Sequence, residues 1–450
     1  MHLTHPPETV PSAGPASVLV VGAGLAGAQT VAALRKHGCA GRLTVLGDEG
    51  VLPYDRPPLS KELFSRPEPA WISDELGVDL EALADEVVLD DAAVSLVVGE
   101  HATTVTTARG RRLTAEVVVL ACGAEPVRPA GWEHALSLHS AQDAAILRES
   151  LRPGARLVCV GAGWIGAEVA GAAVGAGCRV SVVEAASVPL DRQLGEQVGS
   201  LVAPWYADAG VELVVSSAVT GVAADGVRLR SDDGTERLLS ADVVLAAVGA
   251  RPATDWLRGA VPMDARGSIA ADASGRVRTG GDLAAVYAVG DCATREDPVW
   301  EHVPGGHWSA ALLDPDRVAR AVLGLVPEDA TAPAPYVFSR QLGHDIALFG
   351  LPDPVVDRVV VRGEPSVPGA PWSALYVAPH GLVTGILVVD SPREVGAARR
   401  LMANGPVALD LDRAVDARSG LLGARLADGS PVGRPPVSEL PVSGRSDVSR

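Results

Sequence analysis

Ser17-Val18-Leu19-Val20-Val21-Gly22-Ala23-Gly24-Leu25-Ala26-Gly27 is a short apolar run that passes through three spaced glycines into a helix-like stretch, AGAQTVAALRKHG. A second apolar run, Arg42 to Leu46, comes next. Strand, glycine turn, helix and strand in that order make a βαβ unit. Gly22 allows the tight turn, Gly24 lets backbone approach a pyrophosphate, and Gly27 lets helix and strand pack closely. Phosphates would then sit at the helix N-terminus, where unpaired N–H groups and the helix dipole favour negative charge. An acid should follow the second strand to accept hydrogen bonds from ribose hydroxyls, and Asp48 or Glu49 fills that place, Asp48 preferred.

The pattern returns at residues 156–183 as RLVCV, then Gly161-Ala162-Gly163-Trp164-Ile165-Gly166, a helix-like stretch and RVSVV. Glu184 ends this copy. A carboxylate there pairs with a 2′-hydroxyl and repels a 2′-phosphate. Ala185, Ala186 and Ser187 follow, with no arginine among them, which favours NADH over NADPH. A chain with two dinucleotide sites most simply keeps one cofactor tightly and exchanges the other, and FAD with NADH is the obvious pair.

Working outward, EVVVLACGAEP (116–126) and DVVLAAVGARP (242–252) are apolar strands ending in glycine and proline, as expected where the chain leaves one domain and closes another. The run VYAVGDCA from Val286 and a helical spacing over 316–325 follow. Beyond Pro333 the runs YVFS, DIALFG, RVVVRG, SALYVA and LVTGILVV alternate as short strands. The expected organisation is a flexible leader (1–16), a discontinuous FAD-binding domain (17–126 and 253–332), an NAD-binding domain (127–252), a C-terminal α+β domain (333–412) and a mobile tail (413–450).

Composition narrows the classes. The 450 residues carry a net charge of -17, which argues against sequence-independent binding to nucleic acid phosphates. No uninterrupted apolar stretch is long enough to span a membrane, and the first residues show no signal-peptide pattern, so a cytoplasmic protein is expected. Cys39, Cys122, Cys159, Cys178 and Cys292 include no CxxC pair; they are expected to be buried hydrophobes, with no metal site and no redox disulfide. Lys36 and Lys61 are the only lysines among 38 basic residues. A lysine kept in such a background points to a role an arginine could not fill.

The run Pro53-Tyr54-Asp55-Arg56-Pro57-Pro58-Leu59-Ser60-Lys61 closely resembles the flavoprotein ferredoxin reductases of bacterial oxygenase systems, which are similar to rubredoxin and putidaredoxin reductases and to apoptosis-inducing factor. Ala121-Cys122-Gly123-Ala124 resembles the family's A-T-G turn, and Gly163 to Glu168 and Val248-Gly249-Ala250-Arg251-Pro252 resemble its nicotinamide-side motifs. Tyr287 to Cys292 resembles its second flavin motif, and His307-Trp308-Ser309 its H-W-x-N-A segment. The resemblance covers roughly residues 17 to 410. It implies two Rossmann-like domains in a glutathione-reductase-like α/β fold, plus a small C-terminal α+β domain beside the flavin.

By the same resemblance, Gly290 and Asp291 would hold the flavin ribityl chain, and Arg56, Trp308 and Arg128 would lie near the flavin. Lys61 would pair with Glu168 near flavin N5, and Trp164 would stack on or gate the nicotinamide, or simply pack. Three departures stand out: Cys122 replaces a threonine, Val127 replaces an arginine (Arg128 follows), and Leu313-Asp314-Pro315-Asp316 stands where Gln-Gly is usual. Pro315 would remove a backbone donor, and Asp314 would place negative charge near the flavin. The activity implied is transfer of electrons from NADH through FAD to a small iron–sulfur protein serving a P450 or Rieske oxygenase. Arg317, Arg320, Arg399 and Arg400 are candidates for a basic docking patch. A flavin oxidase or small-molecule reductase, and a redox-responsive assembly protein with a weakened flavin site, are the alternatives.

Overall fold

The computed structural model describes residues 14–281, 283–325, 333–416 and 420–425. The expected leader up to residue 13 and the expected tail beyond residue 425 lie outside them.

Fully buried runs of β-branched residues make the central strands of two parallel sheets, as covering on both faces requires. The first sheet has the order Ala285–Ala288, Val117–Leu120, Ser17–Val21, Arg42–Leu46, Glu86–Val88. Its edge strand arrives from late in the chain and pairs with Val117–Leu120, so the two sequence segments assigned to one domain share one sheet. The second sheet has the order Glu212–Val214, Arg179–Val183, Arg156–Val160, Val243–Ala246. Ala124–Pro126 and Ala250–Pro252, the segments leading into and out of that unit, pair antiparallel, and Arg251 bonds Glu125 at 2.8 Å across the ribbon.

Five antiparallel strands form the third sheet: Tyr336–Gln341, His344–Gly350, Val383–Val389, Trp372–Val377 and Arg358–Gly363. Period-2 alternation decides what each face covers. Ala347, Phe349, Leu375 and Ile386 pack on one side with Ala398, Leu401 and Met402 of the helix Pro392–Met402. Ile346, Leu348, Ala374 and Leu387 pack on the other with Leu194, Val198 and Val202 from the helix Asp191–Val202 of the second unit. The third sheet is therefore clamped onto the second unit by an apolar face. It is anchored there also by Tyr376, whose hydroxyl donates to the Leu194 carbonyl at 2.9 Å.

Two sequence expectations are corrected. The loose tail does not begin at Arg413: Leu411–Val415 is helical, and Ala414, Leu421 and Ala424 are fully buried in the third unit's core. A Gly/Ser-rich composition hid three small apolar contacts. The helix expected over 316–325 begins earlier, at Trp308, and runs to Val322 through Pro315. Proline at its eighth position forfeits a backbone bond mid-helix and is not placed in the first turn. Pro315 is buried within that helix.

Candidate functional site

The two glycine turns have the same geometry. Gly24 and Gly163 cap their helices with φ/ψ of -82°/-164° and -83°/-166°, and neither helix start receives a side-chain cap. A Cβ on Gly27 would lie 1.9 Å from the Gly22 carbonyl oxygen, and one on Gly166 would lie 2.0 Å from that of Gly161. Gly22 and Gly161 adopt φ of +117° and +104°, and a side chain on either would run into the neighbouring strand's backbone. At Gly24, by contrast, a Cβ would meet nothing within 4 Å, and at Gly163 only the end of Gln193 at 3.7 Å. The outer glycines are closed by protein. The middle ones face open space beside uncapped N–H groups, which is the fit a phosphate requires.

The strand ends differ. Gly22 donates to the Leu46 carbonyl and Gly161 to that of Val183, each at 2.7 Å, so Gly47 is the register partner of Glu184. A Cβ at Gly47 would come within 2.7 Å of Ala23 Cβ, leaving no room for a carboxylate at that position. Asp48 lies one residue further on, exposed. Glu184 instead folds back over its own turn and accepts from Ala162 N–H at 2.8 Å and Ala186 N–H at 3.0 Å.

Around the first turn, Gly290 (φ +77°) approaches so closely that its Cβ would lie 2.9 Å from Ala26 Cβ. That brings Asp291 to the cradle, where burial raises its pKa while the Gly306 N–H at 3.0 Å opposes the rise. Ala121 joins the sheet by donating to Val21, and Gly123, with φ +68°, has open space about it. Cys122 does not simply lose the threonine hydroxyl. Cys292 lies behind it, donating through its thiol to the Leu120 and Val289 carbonyls at 3.4 Å each; the neighbouring Cys122 thiol lowers the Cys292 pKa, and all five cysteines are free thiols.

Trp308 donates through its indole to Asp55 at 2.8 Å, and burial raises the Asp55 pKa. Arg56 bonds Glu49 and the His139 carbonyl and lies over the Tyr54 ring at 5.4 Å. Burial, opposed by Arg56, holds Tyr54 up at about 12, and burial with Arg56 takes His139 down to about 4. Arg128 is exposed nearby and adds to the electrostatic field at His139. Gly249 (φ +112°) accepts from Val127 N–H at 2.9 Å in the connecting ribbon.

The three units meet at one carboxylate. Glu168, buried on the helix Trp164–Gly175, pairs with Lys61 Nζ at 2.9 Å. Ser60 donates to its Oε2 and Ser339 to its Oε1, each at 2.5 Å, and Gln341 Nε2 donates to Ser339 Oγ at 3.0 Å. Burying an ion pair is tolerable only when further hydrogen bonds satisfy the remaining lone pairs, and the two hydroxyls do so. Sequence alone assigns Ser60 no role beyond its place in the run over residues 53–61, and leaves Ser339 and Gln341 unmarked. The available signal was polar residues at alternate positions on the buried side of Tyr336–Gln341. Trp164 is half-buried and packs with the cluster of Leu190, Leu194 and Leu342, while Ile165 beside it is exposed.

Asp314 does not stand as an uncompensated negative charge. Buried Arg295 reaches it at 3.4 Å and holds Asp297 at 2.8 Å. The proposed basic patch is also dispersed. Arg317 is turned toward the Ala273 carbonyl, Arg320 pairs with Asp316, and Arg399 lies over Tyr336 and Phe349. Arg400 is exposed. Among the described residues no cluster of ligating side chains could hold a metal ion, and no helix is long and apolar enough to cross a membrane.

Residues 16–310 match the pyridine nucleotide-disulphide oxidoreductase family, and residues 336–423 match the reductase C-terminal family. The chain is 31% identical over 398 residues to the ferredoxin--NAD(+) reductase component of the p-cumate 2,3-dioxygenase system of Pseudomonas putida, covering 85% of this chain and 92% of that one. It is 29% identical to the ferredoxin--NAD(+) reductase subunit of the benzene 1,2-dioxygenase system of the same species, covering 86% and 92%. Its fold is similar to that of putidaredoxin reductase in the covalent complex with putidaredoxin, with TM-score 0.79, 25% identity and coverage of 90% and 97%.

Proposed function

The chain belongs to the pyridine nucleotide-disulphide oxidoreductase family, and from that premise we propose that it is an NADH-dependent flavoprotein ferredoxin reductase. It would pass electrons from NADH through FAD to a small iron–sulfur protein serving a P450 or Rieske oxygenase. The observation that carries the reading is the pair of matched phosphate cradles, in separate sheets, joined by Lys61 and Glu168. A flavin, when bound, accepts two electrons as hydride and gives them up singly.

The chain's residues supply the rest. The open turn at Gly24 offers N–H groups to the FAD pyrophosphate, and Asp291, held by Gly306, offers a carboxyl oxygen to the ribityl chain. Arg56 and Trp308, tied to Glu49 and Asp55, would lie near the flavin ring. In the second cradle Gly163 admits the NADH phosphates and Glu184 accepts ribose hydroxyls, which disfavours NADPH. Lys61, held in place by Glu168, would keep a compact positive charge beside the reacting rings. Trp164, packed against Leu190 and Leu194, would border the nicotinamide side. Relatives that act as reductase components of dioxygenase systems support the iron–sulfur acceptor. The alternative of an assembly protein rested on Asp314 and Pro315, and Arg295 beside Asp314 weakens that reading.

Anaerobic titration with NADH, followed by ferredoxins from the same genome, tests the assignment. One equivalent of NADH should bleach a yellow protein, and a ferredoxin should then take the electrons. Bleaching without transfer to any ferredoxin would favour the small-molecule reductase reading.

A further inference from the structure

We propose that Ser339, backed by Gln341, is a positioning residue for the Lys61–Glu168 pair, so that the C-terminal sheet sets the charge at the hydride-transfer site. The inference rests on the proposed placement of Lys61 beside the flavin. Its basis is the strand Tyr336–Gln341, which touches both other units. At its start, Tyr336 N–H bonds Ser309 Oγ at 3.4 Å, and the Tyr336 ring meets Trp308 edge-on at 6.5 Å. Further along, Ser339 reaches Glu168, and just beyond the strand Leu342 packs closely on Gly171 of the Glu168 helix.

The hydrogen-bond directions define the role. An ionised Glu168 has acceptors only, so Ser60, Ser339 and Lys61 must all donate to it. Gln341 Nε2 occupies a lone pair of Ser339, which leaves the serine proton to point at Glu168. Ser339 and Gln341 are both almost fully buried, so water does not readily replace them. Around Glu168, Lys61 is the basic partner, Lys61 also acts on Asp55 of the preceding strand, and Arg340 is exposed and paired with Asp345. Without the Ser339 hydroxyl, one of the three donors that hold the charged pair is gone.

The test is stopped-flow reduction of the full-length, FAD-loaded protein by NADH across pH, for Ser339→Ala, Ser339→Thr and Gln341→Met. Ser339→Ala should slow reduction by about tenfold and move the acid-side fall of the rate up by about one pH unit, as loss of one hydrogen bond to a charged group allows. Ser339→Thr should restore both. Gln341→Met, which removes only the supporting donor, should move the profile the same way by less, and it decides the matter should Ser339→Ala fail to fold. Parental profiles in both Ser339→Ala and Gln341→Met, with Lys61→Ala slow, would overturn the proposal. A parental rate in Lys61→Ala would instead overturn the reading of Lys61 itself.

Discussion

The two glycine turns proposed as phosphate cradles are near copies up to the end of the second strand, where one carries Gly47 and the other Glu184. Their common part is steric: two glycines closed against backbone and one left open. Their difference is chemical. Glu184 folds over its turn and presents a carboxylate at the mouth, whereas Gly47 leaves the first mouth without one and passes the acid to exposed Asp48 or to Glu49, which Arg56 and Tyr54 hold. A site that keeps its ligand can rely on many contacts spread along it. A site that exchanges its ligand must discriminate quickly, and one carboxylate at the ribose can do that.

The most damaging way to break the comparison is to cut the joint between the cradles. Lys61→Ala leaves buried Glu168 without its cation, at a cost of about 3–5 kcal/mol in stability. It should also slow flavin reduction by about a hundredfold, read by stopped-flow absorbance and thermal melting. Next come the glycines. Gly27→Ala and Gly166→Ala should each destabilise the protein by about 3 kcal/mol, since each Cβ would meet a carbonyl oxygen. Gly24→Ala should leave the melting temperature of the flavin-free protein unchanged and weaken FAD about tenfold. Equal melting losses in Gly24→Ala and Gly27→Ala would erase the distinction between open and closed glycines.

Glu184→Arg sharpens the comparison chemically. It should shift the NADH-to-NADPH preference by about a hundredfold, measured as the ratio of kcat/KM, with flavin content unchanged. The smallest effect lies outside both cradles, where Lys36 and His37, at the C-terminal end of the helix Leu25–Lys36, meet Asp316. Burial works against ionisation there, but His37, Lys36 and Arg320 bring the Asp316 pKa down to about 2. A depressed carboxyl contributes stability that is present above its unfolded pKa and lost as pH falls toward 2. Asp316→Asn should therefore cost under about 1 kcal/mol at neutral pH, since the group is partly exposed, and should flatten the acid limb of a pH–stability curve.

Sequence carried the fold where periodicity is local. The glycine spacings, the buried runs Val117–Leu120 and Val243–Ala246 and the alternating strands of the third sheet each follow from a few neighbouring residues. It carried Lys61 and Glu168 through the resemblance of the surrounding motifs. It missed whatever depends on register or on distant partners. Gly47 opposite Glu184 emerges only when the strands are paired, and Arg295 beside Asp314, Ser339 on Glu168 and Cys292 on Leu120 join residues from separate segments. Spacing along a helix likewise does not reveal Asp316 beside Arg320, Tyr336 beneath Arg399 or Ala273 beside Arg317.

Stopped-flow reduction of the FAD-loaded protein under anaerobic conditions, with NADH and with NADH deuterated at the transferred position, addresses most directly whether the two cradles bring their ligands together. One equivalent should bleach the flavin, more slowly with deuterium, and far more slowly in Lys61→Ala. A protein that binds both nucleotides yet stays yellow, or bleaches at a rate indifferent to deuterium and to Lys61→Ala, would contradict a hydride path across the Lys61–Glu168 junction.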